Sequence, residues 1–141
     1  SEKDISNIFG IKSEKENVSI EEILKDLIPE FANKYNLKLV AGTIRDNKTL
    51  NNQTLKGFAY KNNEIFFSEY NELEIYDRIG GGDAYTSGIL YKYLKNSDLK
   101  EMVNFAVASA VLGHTTYGDT PISTLSEVEE LLSGDFKEVK R

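Results

Sequence analysis

Three consecutive glycines, Gly80, Gly81 and Gly82, stand directly before Asp83 and an apolar, helix-spaced stretch over residues 83–94. Nothing else restricts the fold of this chain as strongly. Glycine admits positive φ and lets the backbone approach a ligand closely. The first N–H groups of a helix have no internal acceptor and lie at its positive dipole end. A glycine loop that opens a helix is therefore a place where a phosphate fits. A carboxylate beside it can take a proton from an attacking hydroxyl. An Asp at a helix start is also an ordinary cap and a glycine run an ordinary turn, so the loop alone leaves a purely structural role open. Other glycine-rich sites fit poorly. A dinucleotide fingerprint needs Gly where Tyr85 stands, and a Walker loop needs Gly-Lys followed by Ser or Thr.

Around this loop, helical and extended patterns alternate, which places the chain in the α/β class. Residues 1–12 read as a short helix ended by Gly10. Residues 19–36 read as a helix with Ser19 as N-cap and an apolar stripe of Ile20, Ile23, Leu24, Leu27, Ile28 and Phe31. Pro29 is expected to kink or shorten it. Residues 37–44 form a buried strand, and 46–54 are polar turn material. Residues 55–60 and 64–68 flank Lys61-Asn62-Asn63 as a hairpin, and 73–75 are a short strand. Helices follow at 83–94, 99–112 and 126–132, the last with Ser126 as cap and Glu129 at the capping-box position. The expected sheet is parallel-leaning, fed by 37–44, with helices on both sides.

Composition sets limits on function. The net charge of -6 argues against a general nucleic-acid binder, which needs a basic footprint. It does not oppose nucleotide binding, because backbone N–H groups hold phosphates without a basic surface. The absence of cysteine excludes disulfides and thiolate metal sites, and one histidine does not build a histidine metal site. No apolar run reaches the ~18 residues of a membrane span. With no signal peptide visible, the cytoplasm is the expected location. The start at Ser1 rather than Met suggests a piece of a longer protein.

The segment Asp77-Arg78-Ile79-Gly80-Gly81-Gly82-Asp83 resembles the second signature of the ribokinase/PfkB carbohydrate kinases, Asp-x-x-Gly-Ala-Gly-Asp, with Gly81 in place of the commoner Ala. The stretch DRIGGGDAYTSGILY at 77–91 looks most like the 2-keto-3-deoxygluconate kinase branch. So do Ala41-Gly42-Thr43-Ile44-Arg45, where that branch tends to have Thr-x-Arg, and VLGHTTYGDT at 111–120, near its His-Thr-x-x-Gly-Asp segment. Three spaced motifs in order, over nearly the whole chain, are far more specific than one.

The resemblance implies the C-terminal, nucleotide-binding part of a ribokinase-like three-layer α/β sandwich, spanning residues 1–141 as one catalytic unit. It implies phosphoryl transfer from ATP to a sugar or sugar-acid hydroxyl. Asp83 matches the catalytic base, and Gly80, Gly81 and Gly82 match the anion hole over the transferring phosphate. Thr43 and Arg45 stand where the family places nucleotide-phosphate contacts. Asn104 falls where some members contact the adenine side, although a solvent-facing helix Asn reads equally well. His114 and Thr115 lie beside the nucleotide pocket by the same analogy, but a lone His is more often structural, and it is not counted in the site. Magnesium is implied, held mainly by the nucleotide phosphates with no direct protein ligand. The family's Asn-x-x-Glu magnesium element corresponds to Ser1 and Asp4, a departure that weakens that role here. The sugar-binding part and β-sheet lid would lie in the other half, and this piece alone is expected to be inactive. The partners implied are a nucleotide and a sugar, without nucleic acid or membrane, and a homo-oligomer is compatible. Two alternatives stand beside this reading: a non-catalytic nucleotide-binding homologue, and a kinase for another acceptor such as fructose or a nucleoside.

Overall fold

A computed structural model of the chain describes residues 18–47, 53–73, 79–115, 118 and 123–134. The expected helix at 1–12 and the Ser1–Asp4 element lie outside the described residues. Helix α1 spans Ile20–Lys34. The Ser19 side chain accepts from the Glu22 amide while Glu22 bonds back to the Ser19 backbone, so two otherwise orphaned donors are satisfied reciprocally. The helix runs on through Pro29 without ending there. Its stripe buries Leu24, Leu27, Ile28 and Ala32.

Strands β1 (Val40–Asn47), β2 (Gln53–Lys61), β3 (Glu64–Phe67) and β4 (Asn71–Leu73) form one sheet. β1 pairs along the whole length of β2, from Val40 opposite Tyr60 to Asn47 opposite Gln53. β3 and β4 share the other edge of β2. Between them Ser68 keeps the ladder closed, with its amide donating to the Gly57 carbonyl and its hydroxyl accepting from the Gly57 amide. The hairpin turns at Asn62 and Asn63, both with positive φ (53° and 63°), as a two-residue type I′ turn requires. All these pairings are antiparallel, not parallel-leaning. The reason lies in the connections. Parallel neighbours need a crossover of about a dozen residues or more, and neither the stretch between β1 and β2 nor the Asn62-Asn63 turn is that long.

Three more helices follow among the described residues: α2 (Gly81–Leu94), α3 (Leu99–His114) and α4 (Leu125–Ser133). The period-2 alternation of β2 divides the core. Leu55 and Ala59 face α2 and α3, packing with Tyr85, Ile89, Met102, Val103 and Ala106. Phe58 and Tyr60 face α1. Helices thus cover both faces of the sheet, giving three layers. Tyr85 crosses one layer boundary, its hydroxyl donating to the Phe58 carbonyl at 2.9 Å. The helices α2 and α3 lie so close that a Cβ at Gly88 would stand 2.7 Å from the Ala106 backbone. α4 packs on α3 through Val128, beside Phe105, Ala108 and Leu112. Its cap is Thr124, boxed with Glu127, rather than Ser126. Both Thr124-x-x-Glu127 and Ser126-x-x-Glu129 satisfy the local pattern. The observed register is the one that turns Val128 into the core. No helix among the described residues is long and apolar enough to cross a membrane.

Candidate active site

The helix expected from Asp83 starts two residues earlier, at Gly81, and the details separate the members of the glycine run. Gly80 is the N-cap, at φ 85°, a left-handed conformation that favours glycine. Having no side chain, it caps none of the first-turn amides. Gly81, Gly82 and Asp83 are the first three helical residues, so their N–H groups have no intrahelical acceptor. Asp83 therefore sits in the first turn and not at the cap position. It is exposed, and among the described residues no group bonds its carboxylate; only its backbone carbonyl is engaged, by the Ser87 hydroxyl at 2.7 Å.

Gly82 is exposed, and a Cβ there would meet nothing within 4 Å. Gly81 is the opposite case. It is buried, and a Cβ would overlap Cε1 of His114 and stand 2.5 Å from each ring nitrogen. The glycine that replaces the family's commoner Ala is thus the one that lies on an imidazole.

His114, in the last turn of α3, is 0% exposed. Its Nε2 is 3.1 Å from an Arg45 guanidinium nitrogen and its Nδ1 is 2.6 Å from the Ala110 carbonyl oxygen. A guanidinium only donates, so Nε2 accepts, Nδ1 carries the proton and donates to Ala110, and the ring is neutral. Burial, and secondarily the Arg45 charge, hold the imidazole below the usual histidine range. The sign follows. Below about pH 6.5 the unfolded chain takes up a proton that the folded chain resists. The contribution of His114 is then fully present above that pH and is lost as pH falls toward the depressed folded value. The midpoint of urea unfolding should drop between pH 7.5 and 5.5, and His114→Gln should flatten that drop. An equal drop in the variant would assign the effect to other groups.

The structure brings Arg45 to the loop through His114. Thr43 lies two residues along β1 from Arg45, opposite Gly57, on the same sheet face as Arg45, Leu55 and Ala59. Asn104 is apart from them. Ten residues separate it from His114, about 15 Å along the axis of α3. It lines a cavity of about 310 Å³ with Val107 and Val111, between Ser68 and Glu69 of the β3–β4 connection, the start of β4, and Leu131 of α4. Tyr60 faces α1, on the other side of the sheet. Sequence reasoning set His114 aside. The signal that could have found it was the pairing of a departure, Gly for Ala at 81, with the chain's single histidine.

Residues 53–125, more than half of the chain, match the pfkB family carbohydrate kinase. The chain belongs to the PfkB carbohydrate kinases. Its fold is that of ribokinase-like structures in this family. A structure from Enterococcus faecalis, of a candidate 2-keto-3-deoxygluconate kinase, superposes with TM-score 0.88 at 38% identity, covering 100% of this chain and 41% of that one. The 2-dehydro-3-deoxygluconokinase of Thermotoga maritima superposes with TM-score 0.85 at 32% identity, covering 94% and 40%. A 2-dehydro-3-deoxygalactonokinase of Haloferax volcanii is 32% identical over 63 residues, 45% of this chain and 20% of that protein. This PfkB chain therefore spans well under half the length of these relatives.

Proposed function

We propose that this chain is the nucleotide-binding, catalytic part of a longer ATP-dependent sugar-acid kinase, with 2-keto-3-deoxygluconate or a close relative as acceptor. One observation carries the reading: a helix start whose N-cap glycine offers its amides no side-chain bond, beside an exposed carboxylate, in a chain 38% and 32% identical to structures bearing that kinase name. In the proposed step the acceptor hydroxyl oxygen attacks the γ-phosphorus, Asp83 takes the hydroxyl proton, and the bond between the γ-phosphorus and the bridging oxygen breaks to release ADP. The transition state is loose and highly charged, so positioning and charge stabilisation dominate. The amides at Gly81, Gly82 and Asp83 are fixed donors aimed where that charge develops, and such a donor is typically worth ~3 kcal/mol.

Arg45 and Thr43 would meet the phosphates from the sheet side. The cavity at Asn104 is apolar on its α3 wall and suits a flat purine, with the side-chain amide for its polar edge. Magnesium would enter as an ion carried by the nucleotide phosphates. When bound it would neutralise charge on the phosphates. A cytoplasmic location fits such an enzyme.

Gly82→Val tests the loop. The space at Gly82 is open, so the fold should keep its thermal midpoint within a few degrees. A side chain there removes the close backbone approach, and ATP affinity measured by calorimetry in the complete enzyme should fall at least about tenfold, since the loss of a single charged hydrogen bond already does that much. Unchanged affinity in the variant would remove the loop from the phosphate site.

A further inference from the structure

We propose that His114 is a positioning residue: its Nε2 lone pair holds the Arg45 guanidinium at the edge of the glycine loop, so that Arg45 meets the phosphate the loop binds. The inference rests on the phosphate-site reading of that loop and adds to it a residue that touches no substrate.

The argument begins with the ring's confinement. An imidazole with no exposure and both nitrogens bonded has one orientation available. The Ala110 carbonyl, one helical turn back, takes the Nδ1 proton and leaves Nε2 as an acceptor. The Gly81 backbone lies against the ring edge, with no room for a methyl group between them. Gly113 packs against the start of α2, where a Cβ would stand 3.1 Å from the Ala84 Cβ and 3.6 Å from the Gly81 Cα. The ring is therefore the floor of the glycine loop and the anchor of Arg45 at once. Arg45 comes from another element, β1, and its long side chain has many rotamers to lose. Fixing it beforehand at 3.1 Å from a buried acceptor removes much of that cost when a phosphate arrives. A protonated ring would do the reverse, offering a second cation and no lone pair. The neutral state is the one that burial and the Arg45 charge favour.

The unit Gly81–His114–Arg45 also accounts for the glycine at 81. An alanine there would evict the ring, and with it the acceptor that Arg45 uses.

The test uses the complete enzyme, with MgATP binding by calorimetry, steady-state kinetics and thermal melts. His114→Leu keeps bulk and removes the acceptor; Arg45→Met removes the guanidinium; His114→Gln supplies an amide oxygen to Arg45. His114→Leu and Arg45→Met should each weaken MgATP binding about tenfold, the usual scale for a charged hydrogen bond. The double variant should be no weaker than either single one, and His114→Gln should stay within about threefold of wild type. A structural role alone would move the melting temperature and leave affinity in place, with no rescue by Gln. If His114→Leu does not fold, His114→Met takes its place. Additive losses in the double variant, or wild-type affinity in the His114 variants, overturn the inference. If the wild-type enzyme binds MgATP and Gly82→Val loses it while the His114 and Arg45 variants bind normally, this inference alone has failed. If Gly82→Val binds as wild type, the phosphate-site reading has failed first.

Discussion

Asp83→Asn in the complete enzyme is expected to lower kcat by ~10²–10⁴-fold while nucleotide affinity stays within about twofold, because removal of a general base typically costs that much. The substitution keeps the size of the side chain and removes its capacity to take a proton. The donors that would hold the phosphate are backbone amides at Gly81, Gly82 and residue 83 itself, and an Asn side chain leaves them in place. A capping role for Asp83 predicts the contrary, since Asn caps as well as Asp. The structure already weighs against capping: Gly80 occupies the cap position, Asp83 is the third helical residue, and no described group bonds its carboxylate. The charge of Asp83 near the positive helix end is worth only ~0.3–1 kcal/mol, so the Asn variant should remain folded. Single-turnover kinetics with the natural sugar separates the outcomes. A variant that keeps most of its kcat shows that Asp83 is not the base.

Gly81→Ala is expected to destabilise the fold by about 3 kcal/mol, at or above the upper end of ordinary overpacking. Two effects oppose each other. Alanine is the better helix former by ~1 kcal/mol. Against that stands a methyl group placed on the His114 ring, 2.5 Å from each nitrogen, where the Ala110 and Arg45 bonds hold the ring on both sides. The ring has no exposure and both its nitrogens are engaged, so it has little room to give way, and the clash wins. The neighbouring Gly82→Ala, which meets open space, should be neutral or mildly stabilising. His114→Ala should relieve Gly81→Ala, making the pair less destabilised than the sum of the single changes. Urea unfolding of the four proteins measures this. Additivity would mean that Gly81 and His114 do not share the space the structure gives them.

The elements legible in the sequence are those whose signals are local. Ser19 as a cap, and the hairpin turn within Lys61-Asn62-Asn63, each declare themselves within a few residues, and both stand where expected. The glycine loop announced its helix for the same reason. Expectation and structure parted where two local patterns tied. Thr124 with Glu127 and Ser126 with Glu129 are equally good capping boxes, and only the burial of Val128 against α3 chooses between them. The antiparallel sheet needed chain geometry rather than pattern, since strand-forming residues read alike in either orientation.

His114 lay beyond local reading altogether. Its partner Arg45 is 69 residues away, and the glycine that admits its ring belongs to another helix. The sequence by itself determined the α/β alternation, the helix that begins at the glycines, and the presence of an acid at its first turn. These follow from backbone preferences and periodicity that neighbouring residues impose on one another. Tertiary structure alone decided which glycine faces open space and which faces a histidine. Gly81 and Gly82 are the same residue one position apart on a helix, and a turn of about 100° per residue sends one into the core and the other into open space.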